Sequence, residues 1–203
     1  MVWTADNSAS ARSKRGTNAP LSGYYISTQE GGMRVPFLAR WPGRIPANTV
    51  CEELTTMMDL LPTFTTLAGV SPPANRVIDG KNIWPLLAAE PGVRSPHEVF
   101  YYYQFDQLQA VRSGPWKLLL PLERRRTAPG PEPVLVNSPA RLYNVVADGG
   151  KHHDVVKDHP DVVARLLHLA ETGRQELGDL GRQGRGVRPA GWVFKPQVQR
   201  LPR

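Results

Sequence analysis

The run Glu30-Gly31-Gly32-Met33-Arg34, leading through Val35-Pro36 into a short apolar segment, constrains this chain more than any other stretch. Adjacent glycines are used where the backbone needs positive φ or must approach another segment closely. A carboxylate and a guanidinium flank the pair four positions apart, close enough to pair with each other and pin a loop. They can equally point into a site. The residues alone favour the pin.

Around this run the chain alternates between elements and long connections. "MVWT" reads as a short buried strand ending at Asp6-Asn7, and "VPFLARWPG" as a second strand closed by Pro42-Gly43. Between them "SASARSKRGTNAPLSG" is a long polar loop, of a length usually found functional or mobile. Glu52 to Ala68 reads as a helix stopped by Gly69, with Met57, Leu60, Leu61, Phe64, Thr65 and Leu67 as its apolar stripe. Pro62 should begin or kink that helix, with Asp59 near its cap. "IWPLLAAE" is a further short helix.

After Pro91 the pattern changes. "EVFYYYQF", "LQAVRSG", "WKLLLP" and "RLYNVVAD" are β-prone runs that suggest an antiparallel sheet. "LERRRTAPGPEPVLVNSPA" interrupts them as an exposed excursion. A last helix, "DHPDVVARLLHLAETGRQELG", has Asp158 as its expected N-cap and Val162, Val163, Leu166, Leu167 and Ala170 on one face.

The fold class is α/β. Residues 1–90 form an α/β piece, 91–178 a small α+β piece with an antiparallel sheet and a terminal helix, and 179–203 a basic Pro/Gly-rich tail. Two strands are too few for a doubly wound sheet, so the first piece reads as part of something larger.

Composition excludes several classes. An apolar fraction of 40% is enough for a real core. The net charge of +7 is concentrated in the tail, where Arg182, Arg185, Arg188, Lys195, Arg200 and Arg203 face only Asp179. A solvated tail explains that charge better than nucleic-acid binding, since only Trp192 and Phe194 accompany it. No run approaches the roughly 20 apolar residues of a membrane helix. The first ten residues lack the basic and apolar regions of a signal peptide. Cys51 is the only cysteine, which excludes an intrachain disulfide and a cysteine-based zinc cluster.

Few residues offer site chemistry on their own. Asp6 and Asn7 present a carboxylate and an amide oxygen at a strand end, a donor pair suited to a hard cation such as Ca²⁺ or Mg²⁺, though a simple turn fits as well. His152-His153 beside Lys151 reads as an exposed turn, because adjacent side chains of an extended segment diverge.

Taken in order, "WTADN", "GTNAPLSG", "STQEGGMRVPFLARWPGRIPANTV", "TTMMDLLPTFTTLAGV", "PANRVIDGKNIWPLL", "QAVRSGPWKLLL" and "RLYNVVAD" form a series. It resembles the C-terminal part of the sulfatase family, the arylsulfatases and N-acetylgalactosamine-6-sulfatases of the alkaline phosphatase superfamily, from Val2 to about Leu177. The resemblance implies hydrolysis of sulfate esters by a formylglycine made from the cysteine of a Cys-x-Pro-x-Arg motif. It also implies a calcium ion that polarises the sulfate and basic side chains that stabilise its oxygens. Asp6 and Asn7 match the Asp and Asn of the family's T-S-D-N-G calcium motif, with Ser8 where glycine is usual. The implied substrate is a sulfated small molecule or sulfated glycan.

The chain departs from that pattern in two places. It has no Cys-x-Pro-x-Arg, since Cys51 continues as "CEELT". The family's other calcium aspartates belong to an N-terminal half, so the chain reads as a fragment without turnover of its own. The second departure is at Tyr25. Five residues before the Glu-Gly-Gly glutamate the family places a sulfate-binding lysine, and Tyr25 stands there. A tyrosine offers a hydrogen bond but no positive charge at neutral pH. Lys14 or Arg15 is a candidate replacement from the long loop. The competing reading is a non-catalytic binding or structural module, either a degenerate sulfatase or a split-gene subunit docking onto an N-terminal half or a second copy. An intact parent is expected to be exported or lysosomal.

Overall fold

A computed structural model describes residues 1–10, 16–125, 134–189 and 191–195. Strand β1 (Val2–Thr4) pairs antiparallel with β2 (Phe37–Ala39), with Trp3 opposite Leu38. The Met1 ammonium extends the ladder by donating to the Arg40 carbonyl at 2.8 Å. Both strands form where expected, but neither is buried. Trp3 and Leu38 are the exposed centres of a two-stranded ribbon, because nothing among the described residues packs on that face.

Between the strands lies the one-turn helix α1 (Glu30–Met33). The double glycine is explained by close approach. A Cβ on Gly31 would lie 2.7 Å from the Gly23 carbonyl, and one on Gly32 would strike the carbonyls of Ser27 and Tyr24. Only glycine lets this turn nest against its own loop.

The helix expected over Glu52–Ala68 is shorter. A 3₁₀ turn at Met57–Asp59 leads into α2 (Leu60–Leu67), and residues 52–56 are irregular. The Glu53 carboxylate there accepts from Arg94 Nη1 at 2.9 Å and from the Ser95 N–H at 2.8 Å, and these tertiary bonds replace helical ones. Asp59 sits at the helix start as expected. It is fully buried and accepts from the Thr56 and Lys81 N–H groups at 2.7 and 2.8 Å, with His97 Nε2 at 2.7 Å. Pro62 occupies the first turn, where its missing N–H has no helical partner to lose. The apolar stripe faces outward, with Met57, Leu61 and Phe64 exposed, while Pro62 and Thr63 face inward. Thr63 Oγ1 accepts from the Ile83 N–H at 2.9 Å, tying α2 to α3 (Trp84–Leu87), which is shorter than the helix expected over "IWPLLAAE".

The antiparallel sheet is present with the expected strands. Its order is β3 (Phe100–Gln104), β4 (Gln107–Ser113), β5 (Trp116–Leu119), β8 (Arg141–Asn144). The segment read as an exposed excursion has no buried residue among those described, and it also pairs as a hairpin, β6 (Leu122–Arg125) with β7 (Val134–Ser138). Neither LERR nor VLVNS alternates apolar with polar residues, so the hairpin left no period-2 signal, and the Pro-rich stretch between the strands lies outside the described residues.

Helix α4 (Pro160–Leu177) packs across this sheet and closes a core of Leu108, Val111, Leu118, Leu120, Leu142, Leu166 and Ala170. Its cap is His159 rather than Asp158, because Pro160 takes the first helical position. Leu166 and Ala170 are buried as expected, whereas Leu167 is 37% exposed. Gly173 brings α4 onto the Tyr101 ring, 2.6 Å from where its Cβ would stand. The tail opens with a small hairpin, β9 (Gly178–Asp179) and β10 (Arg182–Gln183). Asp179 anchors it by accepting from the Leu108 N–H at 3.0 Å and from Arg174 Nε at 2.7 Å.

Candidate functional site

The polar loop after β1 is knitted by a single asparagine. Asn18 Oδ1 accepts from the Ala9 N–H at 2.9 Å, and its Nδ2 donates to the carbonyls of Ala9 and Gly23. The Tyr25 N–H donates to the same Ala9 carbonyl at 3.1 Å, and Ser8 Oγ donates to the Gly32 carbonyl at 3.2 Å. These bonds fold the loop back beside the end of β1. Asp6, Asn7, Ser8, Tyr25 and Met33 therefore line one cleft of about 300 Å³, whose far wall is Tyr103, Gln104 and Phe105 at the β3–β4 turn.

The expected residues thus converge. Asp6 and Asn7 are exposed, and no hydrogen bond or ion pair engages their side chains among the described residues. Tyr25 is also exposed at the rim. Ile26 beside it has φ of 74°, a left-handed conformation that costs a β-branched residue on the order of 1–3 kcal/mol. Gln104 Nε2 holds it there by donating to the Ile26 carbonyl at 2.8 Å. Lys14 and Arg15, the candidate substitutes for the lysine, lie outside the described residues.

Behind the cleft the Glu-Gly-Gly turn is held by an ionic cluster. Glu30 pairs with Arg34, Nε to Oε2 at 2.7 Å, as the four-residue spacing allows. Its other oxygen meets Lys117 Nζ at 2.7 Å, and both side chains are shut off from solvent. Lys117 also donates to the Thr28 carbonyl at 2.6 Å and lies 3.5 Å above the centre of the Tyr102 ring. Arg34 Nη2 donates to the Val145 carbonyl at 3.0 Å, and Lys151 donates to Gln29 Oε1. Five contacts therefore tie residues 28–34 to the sheet and its following loop.

Burial alone would raise the Glu30 carboxyl, but Lys117, Arg34 and Lys151 outweigh it and hold the group below its ordinary value. Burial pushes the Lys117 ammonium down to about 7 against the opposing pull of Glu30. Lys151 is lowered to about 8 for the same reason. The cluster is structural, facing the turn rather than the cleft.

Sequence reasoning missed Lys117. The available signal was a lysine within the apolar run "WKLLLP", a position where only a paired charge is tolerated. His152 and His153 donate their backbone N–H groups to Asp148 Oδ2 at 2.7 and 2.9 Å in an exposed turn. No group of three or more His, Cys, Asp or Glu suited to a metal occurs among the described residues. No helix among them is long and apolar enough to cross a membrane.

The comparisons with known proteins agree on one family. A family model described as "N-sulphoglucosamine sulphohydrolase, C-terminal" matches residues 27–115. The N-acetylgalactosamine-6-sulfatase of Canis lupus familiaris is 42% identical over 120 residues, 58% of this chain and 22% of that protein. The steryl-sulfatase of Mus musculus is 31% identical over 205 residues, 91% of this chain and 32% of that protein. Among solved structures, Ps i-CgsB aligns with a TM-score of 0.67 and 30% identity, over 84% of this chain and 35% of its own. PsFucS1 sulfatase from Pseudoalteromonas sp. shares the fold with a TM-score of 0.70 at 22% identity, over 84% of this chain and 36% of its own.

The chain corresponds to the C-terminal portion of sulfatases. It spans 22% and 32% of the length of the two curated relatives named above.

Proposed function

We propose that this chain is the C-terminal part of a sulfuric-ester hydrolase of arylsulfatase type and forms one wall of its sulfate pocket. The observation that carries this reading is the convergence of Asp6, Asn7 and Tyr25 on one cleft. In this reading residues 1–90 complete the α/β domain, 91–178 form the small subdomain, and 179–203 are its tail.

The family's calcium ion fits the donors present. Asp6 and Asn7 offer oxygen atoms with no other partner among the described residues, at a strand end held by the Asn18 network. Calcium takes about 6–8 oxygen ligands, so these two are part of a larger shell. When bound there, the ion supplies Lewis-acid polarisation of the sulfate. Tyr25 supplies a neutral hydrogen-bond donor to a sulfate oxygen where the family uses a cation. The Glu30–Lys117 cluster keeps the loop bearing Tyr25 in register with β1. The substrate class is a sulfate ester, on an aryl group or a glycan. Ps i-CgsB, which shares this fold, has been solved with k-i-k-neocarrahexaose bound.

The test is hydrolysis of 4-nitrocatechol sulfate by the purified chain, alone and mixed with a sulfatase N-terminal half carrying Cys-x-Pro-x-Arg. Turnover is expected only in the mixture, with loss on Asp6→Ala. One observation favours the second reading, a non-catalytic binding module: Tyr25 takes the place of the family's lysine. Under that reading the mixture binds the sulfate ester without releasing sulfate.

A further inference from the structure

A second recess, of about 170 Å³, adjoins the cleft and shares Ser27 and Gln104 with it. It is smaller than the roughly 300–1,000 Å³ typical of drug-sized ligands, and suits one small group. Its chemistry differs from that of the cleft. Arg125 and Arg141 line it and, among the described residues, no carboxylate does, whereas Asp6 lines the cleft. The amides of Gln29 and Gln104 add neutral donors and acceptors, and leucines of the β5–β6 segment form its apolar side.

Two polar atoms here lack partners. Three buried side-chain polar atoms have none among the described residues, and two of them, Arg125 Nε and Ser27 Oγ, belong to residues lining this recess. Buried polar groups are nearly always satisfied; Ser27 Oγ faces the Gly23–Gly32 turn, which leaves Arg125 Nε as the unpartnered group that distinguishes the lining of this recess. Arg125 is placed by the β6–β7 hairpin, where its Nη2 donates to Ser138 Oγ at 3.2 Å. One Nη2 hydrogen bond therefore fixes the guanidinium in the protein, and its permanent charge is what it offers to a carboxylate or sulfate.

We propose that this recess is a subsite for a second anionic group, sulfate or carboxylate, on the saccharide whose ester group occupies the neighbouring cleft. The proposal rests on the sulfate-ester reading above and narrows it to polyanionic glycans rather than simple aryl sulfates. Arg125 and Arg141 hold the second anion, and Gln104 stands between the two positions.

The test is equilibrium titration of the 203-residue chain at low salt with a disaccharide bearing one sulfate and one carboxylate. The wild-type chain is expected to bind it, and Arg125→Gln and Arg141→Gln each to weaken binding by roughly tenfold or more. Affinity for 4-nitrocatechol sulfate, which bears a single anion, is expected to stay unchanged. Arg141 is exposed, so its variant keeps the test valid if Arg125→Gln unfolds. Replacing the carboxylate by a second sulfate is expected to preserve the difference between wild type and the variants, and reducing it to an alcohol to abolish it; a difference that survives reduction would overturn the subsite. Equal affinities for wild type and Arg141→Gln, or no disaccharide binding by wild type, would overturn the subsite. Either result leaves the hydrolase reading to stand or fall on turnover of 4-nitrocatechol sulfate by the reconstituted protein.

Discussion

Lys117 Nζ lies 2.7 Å from the Glu30 carboxylate, with 0% and 1% of the two side chains exposed, across 87 positions of sequence. This pair joins strand β5 to the turn that backs the cleft. A buried pair of this kind adds little net stability when intact, but removing one partner leaves an unpaired buried charge. Lys117→Met should therefore destabilise the chain by about 3–5 kcal/mol. The double variant Lys117→Met/Glu30→Gln should recover much of that loss. Urea unfolding of the two variants checks both, and equal stability of the two would contradict the pairing.

The same carboxylate sets an acid limit. Its folded value lies below the ordinary 4.5, so the unfolded chain takes up the proton first as pH falls. The Glu30 contribution is then complete above pH 4.5 and is lost as pH falls through the lower folded value. Urea midpoints should drop in acid for wild type and drop less steeply for Glu30→Gln. Parallel curves would contradict this assignment.

Gly32 is the tightest point of the turn. A methyl there meets the carbonyls of Ser27 and Tyr24, which are backbone and cannot swing away. Gly32→Ala should destabilise by about 1–3 kcal/mol and move the Tyr25 loop. Proton NMR shifts of the Tyr25 ring that match wild type would show that the turn tolerates a side chain.

The strands of the second part were legible because their β-prone runs are bounded by clear turn signals. Gly114, with φ of 55°, stands between "LQAVRS" and "WKLLL" and closes their hairpin. The Glu30–Arg34 pair was legible from its spacing. For Lys117 the apolar run around it signalled a buried, paired charge, but its partner was not legible, because Glu30 is distant in sequence and local pattern does not say which residues pair. The α2 stripe misled for a related reason. Periodicity identifies an apolar face but not whether the chain itself covers it.

That exposed face gives a contrast. Phe64 is 44% exposed, whereas Leu166 is fully buried. Phe64→Glu should change the stability of the chain by no more than about 0.5 kcal/mol, and Leu166→Ala should cost about 2–5 kcal/mol. Thermal unfolding distinguishes them, and comparable losses would mean that Phe64 is covered in solution.

Release of 4-nitrocatechol from its sulfate ester, measured for the chain alone and with an N-terminal half bearing Cys-x-Pro-x-Arg, tests the central claim most directly. The account requires no release by the chain alone, release by the mixture, and loss of that release on Asp6→Ala. Turnover by the 203-residue chain alone, or full turnover by the mixture containing Asp6→Ala, would contradict it.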